Sequence, residues 1–391
     1  MGDVGVGVFS QPCLGSHGVC RTREGRLWLG LAEYVAGGIN HWQVFSTYSD
    51  DNGASWSAGS KRTISDTTDD DAPSLAVDGG NNIHMVWRDA TNNKIYYQKF
   101  DGGGWCSPAV VLITAPAATS PPRICIDSTN RILVVTSTGT SAVPAAIRET
   151  SSTDSGKTWS AVGVGFNTNG CIALCADVSG YIHAVYTNSD GARNQVYYDR
   201  WESAGTWTGA TAVTASVDGN QYTPDIAVDT SNALHVTWVG LNGSAGGKTN
   251  LRYRKYSGGW GSIIEVYNDA SWDSSVPSIS CADTGYVYIT VVAYDYNLAV
   301  LRFEIQLATS SNGGTSFGGL TTISDIGLTK HKNYPAMPYQ RWPWHSRPDS
   351  GYACYYVSDF AGVSSQARFL NDSVTWKSWG GCVLIFAGRA P

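Results

Sequence analysis

Charge is scarce in this chain, and acids outnumber bases. Asp, Glu, Lys and Arg supply 15% of its 391 residues, against about a quarter in ordinary globular proteins. The net charge is −6. No basic field exists to neutralise phosphates, so a nucleic-acid partner is not expected. No apolar run approaches the roughly 20 residues of a spanning helix, so no membrane span is expected. The opening "MGDVGVGVFSQPC" has no Lys or Arg before its short, Gly-broken apolar part. It is not read as a secretory signal peptide. The nine cysteines are an odd set without CxxC pairs or Cys/His spacing. They are read as buried free thiols rather than disulfides, and no metal or other cofactor is expected.

What is abundant points to strands. The chain holds 44 Gly, 15 Trp and 21 Tyr. Few Lys and Glu remove good helix formers, while Thr, Val, Tyr and Trp suit a pleated surface. A unit repeats along the chain: "PSLAVDGGNNIHMVWRD" from Pro73, "PRICIDSTNRILVVTST" from Pro122, "IALCADVSGYIHAVYTN" from Ile172 and "PDIAVDTSNALHVTWVG" from Pro224. Looser copies begin at Gly18 and Pro277, and a degenerate one near Pro335. Each unit has an alternating apolar run, an Asp, a Gly/Asn/Ser turn and a second run. A third run rich in aromatics follows, then a turn closing on Trp or Phe (Trp56, Trp105, Trp159, Trp207, Trp260, Phe317, Trp376) and a fourth run. Four strands in about fifty residues make a propeller blade. The expected fold is all-β: one domain over 1–391, a seven-bladed β-propeller of four-stranded antiparallel blades. Its blades start near 16, 72, 121, 170, 223, 276 and 334. The closing Trp is expected as a wedge between neighbouring blades. An extra strand over Val4–Phe9 is expected to pair outside a blade or to meet a partner.

The stretch "YSDDNGASWS" at 48–57 looks at first like a calcium loop. With Gly53 as loop position 6, position 1 is Tyr48 and position 12 is Gly59, and neither is a ligand. A turn explains it better, because Asp and Asn side chains bond nearby backbone and Gly accepts positive φ. The pattern recurs in full as "STDSGKTW" (Ser152–Trp159) and in part as "SSNGGTSF" (Ser310–Phe317), always between third and fourth strands. These stretches resemble Asp boxes, the bacterial neuraminidase repeats of the sialidase-like propeller superfamily. The resemblance covers nearly the whole chain as repeat architecture. It implies glycan-related function, and it implies that these boxes lie on the face opposite an active site.

Sialidase chemistry itself finds no support. The family binds the sugar carboxylate with an Arg cluster, whose first member sits in a Phe/Tyr-Arg-Ile-Pro motif. It uses a Tyr–Glu pair as nucleophile and an Asp as acid/base. The matching stretch here is "SHGVCRTREG", and the nearest echo, "PPRICID" around Arg123, falls in the wrong blade. Glu occurs only at Glu24, Glu33, Glu149, Glu202, Glu265 and Glu304, none in a recognisable pair with Tyr. Family sialidases resemble six-bladed rings, whereas seven units are counted here. His84, His183 and His235 share one repeat position and so are spread around the ring. They are read as buried structural histidines.

Ligand-binding residues are expected on the loops that meet around the channel away from the Asp boxes. Aromatic rings stack on sugar faces, and Asp, Asn and Arg fix hydroxyls. The candidates are Asp71, Arg88, Asp89, Tyr222, Trp272, Asp273, Asp295, His331, Tyr334 and Asp359. A second feature is the loop Tyr339–Gly351, "YQRWPWHSRPDSG". Its Arg341, Trp342, Trp344 and His345 suit an interface with a protein partner or a second copy. The expected function is non-catalytic carbohydrate recognition or surface attachment, as on a virion or cell surface. Two readings stand beside it: a glycan-cleaving hydrolase or lyase, and a structural interaction module.

Overall fold

The computed structural model describes residues 10–11, 18–35, 41–51, 53, 55–115, 120–140, 143–168, 172–215, 219–241, 249–268, 272–282, 285–295, 302–323, 330–336, 352–359, 365–371 and 384–385. The named elements are all β-strands. Among the described residues no helix is long and apolar enough to cross a membrane.

The first sheet contains β1 (Ser10–Gln11), β2 (Val19–Arg21), β3 (Leu27–Val35), β4 (His41–Ser49) and β5 (Ser60–Lys61). The second contains β6 (Asp70–Val77), β7 (Ile83–Asp89), β8 (Lys94–Phe100) and β9 (Val110–Thr114). The third contains β10 (Arg123–Ile126), β11 (Ile132–Thr140), β12 (Val143–Ser152) and β13 (Gly163–Asn167). In the fourth are β14 (Ile172–Ala176), β15 (Ile182–Ser189), β16 (Asn194–Trp201) and β17 (Thr211–Ala212). The fifth is built from β18 (Gln221–Val228), β19 (Leu234–Leu241), β20 (Thr249–Tyr256) and β21 (Ile264–Tyr267). The sixth is built from β22 (Trp272–Cys281), β23 (Val287–Asp295), β24 (Arg302–Ser310) and β25 (Thr321–Thr322). The last comprises β26 (Lys330–Ala336), β27 (Tyr352–Asp359), β28 (Ser365–Asn371) and β29 (Leu384–Ile385).

This is an all-β propeller with four-stranded antiparallel blades. The expectation of seven four-stranded blades is corrected: the structure shows six four-stranded blades, and the N-terminal sheet has five strands. Its inner edge explains the difference. Both β1 and β2 pair with β3, β1 at Ala32–Glu33 and β2 at Leu27–Leu29. Pro12 lies between them in sequence and has no N–H to offer a ladder. The expected Val4–Phe9 strand lies outside the described residues. Inner strands pack on one another in chain order: β6 lies against β2 and β10, β14 against β10 and β18, and β22 against β18 and β26, while β1 lies beside β28, a third strand.

Burial follows position within a blade. Strands β10 and β14 are buried at every residue, and β17, an outer edge, is exposed at both. Trp87 and Trp238, on second strands, are completely buried. Each large side chain of that kind contributes roughly 1.5–3 kcal/mol. Cys20, Cys125, Cys175 and Cys281 are buried free thiols, whereas Cys106 is exposed.

Antiparallel blades put the first-to-second and third-to-fourth turns at one end, called here the turn end. In the first-to-second turns, Asp78 accepts from the N–H groups of Gly80 and Asn82, at 2.8 and 2.9 Å. Asp127, Asp177 and Asp229 do the same with their own turns. The turns at Asp78, Asp127 and Asp229 then pass an Asn through positive φ, at Asn81, Asn130 and Asn232, where Asn is tolerated. Those Asn side chains reach back to the preceding blade. Arg23, Gly79 and Val178 donate their N–H groups to Asn81, Asn130 and Asn232 Oδ1.

Three of the third-to-fourth loops repeat one hydrogen-bond scheme. Ser152 Oγ accepts from Gly156 N–H and donates to Asp154 Oδ1, which also accepts from Thr158 N–H at 2.9 Å. Ser49, Asp51, Gly53 and Ser55 repeat it. So do Ser310, Asn312, Gly314 and Ser316, but there Asn312 Nδ2 donates to Ser316 Oγ, the reverse of Thr158 Oγ1 donating to Asp154. The ring that closes the loop wedges against the previous blade: Trp159 on Tyr97, Trp260 on Tyr198 and Phe317 on Tyr253, with centroids 4.8, 5.6 and 4.9 Å apart.

Candidate functional site

The opposite end, where first strands begin and second strands finish, is the mouth. Strand register decides which residues meet there. In the second blade Asp70 faces Asp89 and Asp71 faces Arg88. The fifth pairs Gln221 with Gly240 and Tyr222 with Val239. The sixth pairs Trp272 with Asp295 and Asp273 with Tyr294. The last pairs Lys330 with Asp359 and His331 with Ser358, with Tyr334 a little further along β26. The ten candidate ligand residues thus fall at one end of four blades. Arg341, Trp342, Trp344 and His345 lie outside the described residues.

A shared irregularity shapes this end. The inner strands skip register between Asp71 and Ser74, Tyr222 and Asp225, Ser275 and Ser278, and Asn333 and Ala336. A proline, Pro73, Pro224, Pro277 or Pro335, sits inside each break. It cannot donate to the ladder, which is why the pairing yields there. In the first three breaks the residue before the proline has positive φ: Ala72 (50°), Thr223 (45°) and Val276 (45°). For β-branched Thr and Val this backbone is strained, at a cost of order 1–3 kcal/mol each.

The second blade carries the densest chemistry. Arg88 grips Asp71 through two nitrogens, Nε at 2.7 Å from Oδ1 and Nη2 on Oδ2. Planar guanidinium matches a carboxylate in this way. Asp89 caps the next turn, accepting from Asn92 N–H and Nδ2 at 2.8 Å each. Asp70, only 2% exposed, accepts from Thr68 Oγ1, and its Oδ1 has no hydrogen-bond partner. Burial, with the nearby charges of Asp89, Asp71 and Asp69, pushes its carboxyl up to about 8. Asp70 is therefore a protonated acid at neutral pH, facing a second carboxyl. The stretch before it is clamped by the first blade. Asp69 accepts from Trp42 N–H and bonds His41 Nδ1, and Gln43 Nε2 donates to Thr68 O.

In the fifth blade Gln221 organises a buried network. Its Oε1 accepts from Trp238 Nε1 and Arg252 Nη1, at 2.7 and 3.2 Å. Its amide donates to the carbonyls of Gly219 and Leu241. Arg252 Nε in turn bonds Glu265 at 2.7 Å. Gly240 is required opposite, since a Cβ there would stand 1.8 Å from Gln221 Oε1.

The three repeat histidines lie away from the mouth, each bonded to a Tyr of the third strand. His84 bonds Tyr97 Oη through Nδ1 (2.8 Å) and Asp78 through Nε2 (3.1 Å). His235 bonds Tyr253 and Asp229 at 2.7 and 3.1 Å, and His183 stands between Tyr198 (2.8 Å) and Asp177 (3.4 Å). Burial lowers the pKa of His84 and His235, while Asp78 falls to about 2 because His84 and Asn82 bond it. A neutral ring donating Nε2–H to Asp and accepting Tyr Oη–H satisfies His84 and His235, whereas His183 keeps only its Tyr198 bond and its Nε2 has no hydrogen-bond partner. Asp and His six residues apart across a hairpin were the signal in the sequence. Among the described residues no group of three or more His, Cys, Asp or Glu is placed to hold a metal ion.

Known proteins resemble this chain in fold. No family model and no curated protein matches its sequence. Among solved structures, a polysaccharide lyase of family PL25, an ulvan lyase, is similar at 12% identity and a TM-score of 0.60, covering 95% of this chain and 94% of that one. A leech intramolecular trans-sialidase follows at 11% identity and 0.51, covering 78% and 69%. The NanB sialidase of Streptococcus pneumoniae stands at 12% and 0.50, covering 76% and 67%. At these identities the likeness is one of fold.

Proposed function

We propose that this chain is a glycan-recognising, sialidase-like propeller that takes its ligand at the mouth. The five-stranded N-terminal sheet serves as the first of seven blades, with β1 and β2 acting together as its inner strand. The loops at Ser49–Trp56, Ser152–Trp159 and Ser310–Phe317 are then Asp boxes of the turn end. One observation carries the reading: strand register gathers charged and aromatic residues from four blades at the end where prolines break the inner strands. Fixed polar groups beside aromatic faces are what sugar recognition needs. The lyase and sialidases named above act on glycans, which favours the same ligand class. The role is recognition, with Asp71, Arg88 and Tyr222 as contacts.

A specific observation favours cleavage as the second reading. Asp70 and Asp89 are facing carboxyls, and Asp70 is held protonated at neutral pH. A carboxyl raised in pKa by burial beside a second carboxyl is a means of general acid catalysis. A glycan array with the purified chain tests recognition. Binders are expected, and Asp71→Ala with Tyr222→Ala should abolish binding at retained thermal stability. An array without binders sinks the reading. New reducing ends or unsaturated products from a polysaccharide panel, lost in Asp70→Asn, would replace it with cleavage.

A further inference from the structure

Four histidines have described side chains, and one of them is unlike the rest. His84, His183 and His235 are buried and bond a tyrosine through Nδ1. His41 opens β4 opposite Val35, at the mouth, and its side chain is 33% exposed. Its Nδ1 bonds Asp69 Oδ1 at 3.2 Å. A carboxylate oxygen only accepts, and this one also accepts from Trp42 N–H at 3.0 Å. In the neutral ring Nδ1 therefore carries the proton, which leaves a lone pair on Nε2. Among the described residues Nε2 has no hydrogen-bond partner, and neither has Asp69 Oδ2.

The pair is anchored from two blades. Asp69 N–H donates to Thr91 Oγ1 and its carbonyl accepts from Ala90 N–H, both in the second blade, while Trp42 holds its carboxylate from the first. Ring and carboxylate are fixed before a ligand arrives, so little freedom is lost on binding. Of the nearby cations, Lys61 bonds Asp66, Arg88 is held by Asp71 through two bonds, and Lys94 stands opposite Asp89 in the ladder.

We propose that His41 Nε2 and Asp69 Oδ2 form an acceptor-only subsite at the seam of the first two blades, which takes a sugar hydroxyl as donor and disfavours the same position sulfated. This rests on the glycan reading and narrows its ligand to sugars with a free hydroxyl at that position. A sulfate ester has no hydrogen to donate and sets negative charge against Asp69.

Two measurements on the full chain decide this. Nitrogen-15 NMR of the neutral ring should show His41 as the Nδ1–H tautomer, and Asp69→Asn should remove that preference. A glycan array that pairs neutral oligosaccharides with their sulfated counterparts should give neutral binders, each at least about tenfold ahead of its sulfated form. His41→Phe should weaken those binders by about tenfold at unchanged Tm and narrow the gap to the sulfated forms. An Nε2–H tautomer, a preference for sulfated forms, or full binding in His41→Phe overturns this inference and leaves the glycan reading standing. An array without binders removes both.

Discussion

The two ends of each blade are built to different rules. At the turn end the blades repeat one another. Asp78, Asp127, Asp177 and Asp229 cap equivalent turns, three Tyr–His bonds recur and two of them extend to an Asp, and three loops share one bond scheme. The Asp side chains there bond the N–H groups of their own turns. At the mouth the same strands carry different residues from blade to blade, strained backbone at Thr223 and Val276, and an orphaned acid at Asp70. Repetition marks what every blade needs in order to stand beside its neighbour. Departure from repetition marks where selection acts for something other than folding.

The largest test breaks the turn end. A Cβ on Gly156 or Gly314 would fall 1.9 Å from Tyr97 or Tyr253 Oη, and both glycines have positive φ. Gly156→Ala and Gly314→Ala should each cost about 3 kcal/mol or more. Gly102→Ala, also at positive φ but with nothing within 4 Å, should cost only about 1 kcal/mol. Equal losses in urea unfolding would mean that backbone angle, rather than the blade contact, sets the cost.

Next come the relays. Tyr97→Phe or Tyr253→Phe strands a buried imidazole nitrogen and should cost about 1–3 kcal/mol. The pH dependence carries a sign. His84 and His235 have pKa values below the ordinary 6.5, so their contribution is present above pH 6.5 and is lost as pH falls. Asp78, lowered from 3.8 to about 2, adds a loss between those values. A melting temperature flat from pH 7 to 3 would contradict both.

The mouth should respond in the opposite direction. Asp70 is raised from 3.8 to about 8. The unfolded chain therefore releases this proton first, and stability drains away as pH rises from about 4 to 8. Asp70→Asn should remove that loss and stabilise the protein by about 2 kcal/mol at pH 8. No gain at pH 8 relative to pH 4 would show that the carboxyl is ionised in the fold. Smallest of all, Thr223→Gly should relieve strain and raise stability by about 1 kcal/mol or less. A clear loss instead would mean that the Thr223 side chain, not its backbone angle, matters to the bulge.

Much of the fold was legible because repetition is legible. The alternating runs, the Asp anchors and the closing Trp recur, and strands with wedged rings follow from them. The split inner edge of the first sheet was not, because Ser10–Gln11 is too short to show alternation. Candidate mouth residues such as Asp71, Arg88 and Tyr222 were found from loop position. The supporting network of Gln221, Trp238, Arg252 and Glu265 was missed, since such partners lie on separate strands and share no spacing. Nor could the orphaned Asp70 be distinguished from its neighbours in "DDD". Only the cross-strand register sets it against Asp89.

The tyrosines of the relays have one more consequence. Tyr97 and Tyr253 are held inside their own blades by histidine, yet each ring lies on a loop glycine of the following blade. Blades therefore overlap in one direction, like roof tiles. In a linear array of repeats the end units fray first, because each has a single neighbour. Where one blade covers the next, as Tyr97 covers Gly156 and Tyr253 covers Gly314, loss of the covering blade would strip its neighbour. Amide protection from hydrogen exchange should then rise and fall for neighbouring blades together rather than blade by blade.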